Sequence, residues 1–83
     1  MISVTAAYYI EQYKIHVTFN NHESGIIDLQ EAMTQDRRQI FNQLVDIDQF
    51  KRFSIKADTI VWENGLDLAP EFLYEKLKKL ELP

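Results

Sequence analysis

The chain contains no cysteine, only two prolines and two glycines in 83 residues, and little positive charge. No apolar run approaches the roughly 18 residues that read as a membrane-spanning helix. Without cysteine there is neither a disulfide nor a thiolate metal site to stabilise so small a fold. Packing must do this, alone or shared with a second subunit. The scarcity of proline and glycine leaves little room for linkers, and there is no internal repeat, low-complexity tract or domain boundary. Gly25 and Gly65 form no phosphate-binding loop. The opening MISVTAAYYIEQ lacks the basic start and long apolar stretch of a secretory signal, so a cytoplasmic protein is the default expectation. Nine Lys and Arg against thirteen Asp and Glu give a formal net charge of -4, a field that repels phosphate. Arg37 with Arg38 and Lys51 with Arg52 are the local basic pairs. With no third cluster and no interleaved aromatic platform, they read as solvated helix faces, and direct nucleic-acid binding is disfavoured.

What is present is apolar and aromatic: 46% hydrophobic residues, five Phe, four Tyr and one Trp. That content is far above a disordered tail. The length suits one domain over residues 1–83, because chains near this size bury only roughly 60 to 65% of their unfolded surface.

Ile2, Val4, Ala6, Tyr8 and Ile10 alternate with Ser3, Thr5, Ala7 and Tyr9, the two-residue period of a strand with one buried face. Tyr13, Ile15, Val17 and Phe19 repeat the pattern, and Glu11-Gln12 is the expected turn between the two strands. Asn20 to Glu23 supplies turn-formers, after which Ser24 to Leu29 reads as a third strand with Ile27 and Leu29 in phase. The period then changes. Ile40, Leu44 and Ile47, with Phe41 and Val45 beside them, predict a helix capped by Thr34 and ending near Asp46. Asp48 is a candidate cap for a further turn through Phe50 and Phe53, the alternative being one continuous helix through Arg52.

A second hairpin follows, with Ile55 and Ala57 in phase, a turn at Asp58-Thr59, and a strand from Ile60 to Glu63 carrying Trp62. Pro70 opens the last helix, where its missing amide proton has no partner to lose, and Leu73, Leu77 and Leu80 line one face with Phe72 and Tyr74 beside them. The expected fold is α+β, in the order β-β-β-α-β-β-α, with two helices on one face of an antiparallel sheet. The second hairpin either extends the first sheet or forms a separate layer.

Chemistry-bearing residues are few. His16 falls on the polar face of the second strand and His22 in the turn after it, and no third ligand completes a zinc site. Ser3, Ser24 and Ser54 lack a base partner. Asp67 stands between Leu66 and Leu68. It either accepts backbone N–H bonds that fix the route into the Pro70 helix, or serves a small ligand-binding or hydrolytic site that would need a second acid or a histidine nearby. The first reading predicts that Asp67→Asn costs about 1 to 2 kcal/mol. Trp62 is either a core plug, its ring nitrogen bonded to a carbonyl, or an interface anchor. Tyr8, Tyr9 and Tyr13 add amphipathic aromatic area near a sheet edge, a composition that interfaces favour. The candidate interface or structural-motif residues are therefore Tyr8, Tyr9, Tyr13, Trp62, Asn64, Gly65, Asp67, Pro70 and Tyr74.

Three stretches, VTFNNHESGIIDL, IFNQLVDIDQFKRFSI and IVWENGLDLAPEFLY, together resemble a family of small bacterial proteins known as domain of unknown function 2442. The likeness covers nearly the whole chain. Its most specific part is the last stretch, where Trp62, Asn64-Gly65, Asp67 and Pro70-Glu71 precede Leu73-Tyr74. The resemblance implies a small α+β domain. Some relatives carry a helix-turn-helix domain after this one, which implies a regulatory or interaction role; no such domain is expected within these 83 residues, so DNA recognition is not carried over. The expected function is a protein-binding or regulatory module, self-association as a homodimer included, with no catalytic, cofactor or metal site. The alternatives are a nucleic-acid-associated regulator and the Asp67-centred domain.

Overall fold

A computed structural model describes residues 1–35 and 43–81. The expected helix face through Ile40 and Phe41, and the Arg37 and Arg38 pair, lie outside the described residues, as does the side chain of Leu80.

Strands β1 (Val4–Glu11), β2 (Lys14–Phe19) and β3 (Ser24–Asp28) form an antiparallel meander in the order β1-β2-β3. The central strand alternates as its sequence does. Ile15, Val17 and Phe19 are buried while Lys14, His16 and Thr18 are only half-buried on the opposite face. The turn joining β1 to β2 sits one residue later than expected, at Gln12-Tyr13, with Gln12 at φ 50°.

In β1 the simple alternation fails. Val4 pairs with Phe19, but the next partners are Ala6 and Thr18, so Thr5 is an extra residue in the ladder. Such a bulge moves the side chains that follow it to the other face, until a second extra residue at Ile10 restores the phase. Val4 is buried as predicted, yet Ala7 and Tyr9 then turn toward the core, and Ala6 and Tyr8 are exposed.

The first helix also differs from expectation. Helix α1 (Gln30–Gln35) follows β3 directly, and its amide at Gln30 donates to Asp28 Oδ1 at 2.9 Å. Thr34 is therefore not the cap. It lies inside the helix, where its hydroxyl donates back to the Gln30 carbonyl at 2.7 Å. Residues 43–46 are turn and bend, which rules out a helix continuing to Asp46 or through Arg52. Helix α2 (Ile47–Phe50) starts afresh, capped by Asp46 rather than Asp48: the Asp46 backbone is extended and its carboxylate accepts from the Asp48 amide at 3.0 Å.

The second hairpin forms a separate sheet. Strands β4 (Ser54–Lys56), β5 (Thr59–Val61) and β6 (Asp67–Leu68) pair in the order β4-β5-β6. Its first turn is Ala57-Asp58, with φ 51° and 68°, the pair of left-handed residues that a two-residue hairpin demands. Because the turn is one residue earlier than predicted, Thr59 belongs to β5. Its buried hydroxyl donates to the Leu68 carbonyl. Strand β6 was not expected.

Helix α3 (Pro70–Glu81) starts at the proline, as the sequence indicates, and buries Leu73 and Leu77 against β3. Gly25, cross-strand from Val17, makes this approach possible. A Cβ there would lie 2.5 Å from Leu77 Cδ1. One core takes side chains from both sheets and from α1, α2 and α3, including Val17, Ile27, Met33, Phe50, Ile60 and Leu73.

Candidate interaction surface

The outer face of the first sheet is not lined as a solvated face would be. Antiparallel sheets with one face in water ordinarily present polar side chains there. Here the register aligns Tyr8 with His16 and His16 with Ile26, one residue from each strand. Tyr8 is 57% exposed and Ile26 45%. The Tyr8 ring stacks on His16 with centroids 4.7 Å apart and planes 15° from parallel. Beneath it, His16 Nδ1 is buried and has no hydrogen-bond partner among the described residues. The flanking rows are polar or small: Ala6, Thr18 and Ser24 on one side, Lys14 and Asp28 on the other.

Tyr9 and Tyr13 point elsewhere. Tyr9 lies edge-on to Phe50 at 6.3 Å, and Tyr13 at 5.2 Å, with the Tyr13 hydroxyl donating to the Val45 carbonyl at 2.5 Å. Phe50 also meets Trp62 at 5.8 Å, so this aromatic group joins the first sheet to the second. The three tyrosines thus do not form one patch. Ile26, not singled out in the sequence, does share the face with Tyr8. Its signal was an isoleucine out of phase with Ile27 and Leu29.

At the other end of β3 a polar clasp holds the β2–β3 turn against α3. Glu23 accepts from the Lys78 ammonium and the Tyr74 hydroxyl, and Asn21 Nδ2 adds a bond of 3.1 Å. The Lys78 bond, then that of Tyr74, holds the Glu23 carboxyl below its ordinary value, against a smaller opposing effect of desolvation. Tyr74 packs edge-on to Phe19 at 5.2 Å. Tyr74 therefore serves the junction of helix and turn.

The stretch from Trp62 to Pro70 proves to be a hairpin followed by a helix start. Trp62 is 4% exposed, and its Nε1 donates to the Phe50 carbonyl at 2.6 Å. It is the core plug of the two alternatives. Asn64-Gly65 closes the hairpin, with the Trp62 amide donating to the Leu66 carbonyl at 2.9 Å and Gly65 at φ 94°. Asn64 Oδ1 accepts from the Leu66 amide at 3.1 Å, the role expected of Asp67. Asp67 itself is exposed on β6, and none of the described residues hydrogen-bonds its carboxylate. Because Leu66 and Leu68 are buried on either side, the strand's own alternation turns the intervening acid outward.

Among the described residues, no group of three or more His, Asp or Glu is placed to hold a metal ion. None of the described helices is long and apolar enough to cross a membrane.

The class defined by these features is a small α+β domain of two antiparallel sheets joined by an aromatic cluster, with one sheet face left uncovered by its described helices. The chain belongs to DUF2442, described as a protein of unknown function, and the family match spans residues 4–79. No curated protein and no solved structure matches it.

Proposed function

We propose that the chain is a small cytoplasmic binding module, regulatory in role, that recognises protein through the outer face of its first sheet and needs neither a cofactor nor catalysis of its own. The observation that carries this reading is the row of Tyr8, His16 and Ile26, aromatic and aliphatic at positions where water would favour polar side chains. Tyrosine is also a residue that interfaces enrich, its ring giving contact area at little cost in rotamer freedom.

The test is affinity capture from the source cell with the native chain and with Tyr8→Glu, whose exposed position keeps the fold intact. Binding through this face predicts a specific protein, a further copy of the chain included, that is retained by the native bait and lost with the variant. Equal capture by both baits would place recognition elsewhere.

A further inference from the structure

The free edge of β3 is a ready pairing site, and its directions can be read from the ladder. The Phe19 amide donates to the Glu23 carbonyl at 2.9 Å and the Leu29 amide to the Tyr13 carbonyl at 2.9 Å. Ile15 with Ile27 and Val17 with Gly25 fall in the same alternate series of partners. Odd-numbered residues of β3 therefore turn their amide and carbonyl toward β2, and Ser24, Ile26 and Asp28 turn theirs away. All three are exposed, and no described residue bonds these backbone groups.

The other edges are less available. The bulge interrupts β1, whose first amide, at Val4, donates to the Asp58 carbonyl at 2.8 Å. Strands β4 and β6 have only three and two residues. A long, unprotected edge is the one that pairs with another strand.

We infer that β3 pairs antiparallel with β3 of a second copy about a two-fold axis at Ile26, joining two three-stranded sheets into one of six strands. This narrows the protein-binding reading, on which it rests, to a copy of the same chain. The edge is self-complementary. Its five residues centre on Ile26, so the two-fold sets Ile26 against Ile26 and Ser24 against Asp28 of the second copy, with all three outward amides of each strand supplied with a carbonyl. The sole charge on the strand, Asp28, has Lys14 as its cross-strand neighbour in its own chain and meets a serine rather than a like charge. The row of Tyr8, His16 and Ile26 then runs unbroken across the junction, and the exposed isoleucine gains an apolar partner.

Sedimentation equilibrium across a wide range of concentration tests this with the native chain, Ile26→Lys and Ile26→Pro. Proline at position 26 removes only an outward donor, and lysine protects an edge in natural sheets. The expected result is a native mass of about twice 9.8 kDa, falling to the single-chain value in Ile26→Lys while its circular dichroism is unchanged, and in Ile26→Pro if that variant folds. A native dimer that Ile26→Lys leaves intact would overturn the β3 pairing while leaving self-association in place. A native chain that stays at single mass throughout would overturn the dimer itself, and the Tyr8-dependent capture would then decide the broader reading independently.

Discussion

The two sheets are both three-stranded antiparallel meanders, yet different forces hold them. The first has strands of eight, six and five residues, and its central strand buries every second side chain beneath a helix. The second has strands of three, three and two, and all three residues of β4 are exposed. So short a sheet has too little ladder to stand alone. It is held by individual side chains: Trp62 on the Phe50 carbonyl, Thr59 on the Leu68 carbonyl and Asn64 on the Leu66 amide. The first sheet rests on a long alternating pattern, and the second on the burial of Ile60, Leu66 and Leu68 together with these particular bonds.

Truncating Trp62 should break that difference most sharply. Trp62→Ala removes the plug shared by both sheets and should cost about 3 to 5 kcal/mol in urea unfolding, with amide protection lost in β4 to β6 before β2. Trp62→Phe keeps most of the ring but leaves the buried Phe50 carbonyl unpaired, a loss of about 1 to 3 kcal/mol. In the first sheet the vulnerable point is steric. Gly25→Ala drives a methyl onto Leu77 Cδ1, the far end of a flexible side chain that can give way, so the cost should be about 1 kcal/mol, and the same substitution should cost less when made in a Leu77→Ala background than in the native chain.

The Glu23 clasp adds a pH dependence to the first sheet. Because its folded pKa lies below its ordinary value, the unfolded chain binds more protons between the two, and stability rises with pH there. Its contribution is complete above the ordinary value of about 4.3 and is lost as pH falls through the folded value. Glu23→Gln should therefore lower the melting temperature at neutral pH and flatten the acid limb, with the two proteins converging at the acid end. The smallest effect is expected at Asp67. The exposed carboxylate makes no bond to a described residue, so Asp67→Asn should change stability by no more than about 0.5 kcal/mol, against the larger loss the sequence suggested.

What was legible in the sequence follows the same division. The alternation of Ile15, Val17 and Phe19 and the proline opening α3 are local signals that tertiary contacts reinforce, and both appear where expected. The α+β class and the meander followed from them. The bulge at Thr5 was not legible, since an extra residue in a ladder is a property of the pairing rather than of either strand, and it moved Tyr8 outward and Tyr9 inward. The start of α1 was missed because Asp28 both ends a strand and, through its side chain, accepts from the first helical amide. Strand β6 has two residues, too few to show a period. Trp62 was placed correctly from its chemistry, whereas the amide-accepting role expected of Asp67 falls to Asn64, because how closely the Asn64-Gly65 turn pairs Trp62 with Leu66 could not be seen in one dimension. Ile26 drew no attention because a single out-of-phase isoleucine is ordinary until its neighbours on the face are known.

The measurement that bears most directly on an unfinished first sheet is residue-resolved hydrogen exchange along β3 at low and high protein concentration. At low concentration Gly25 and Ile27 should be protected while Ser24, Ile26 and Asp28 exchange freely. At high concentration the three outward amides should become protected together. If they exchange freely at a concentration where the native chain sediments as a dimer, or stay protected where Ile26→Lys sediments as a single chain, β3 is not the edge along which this protein completes its sheet.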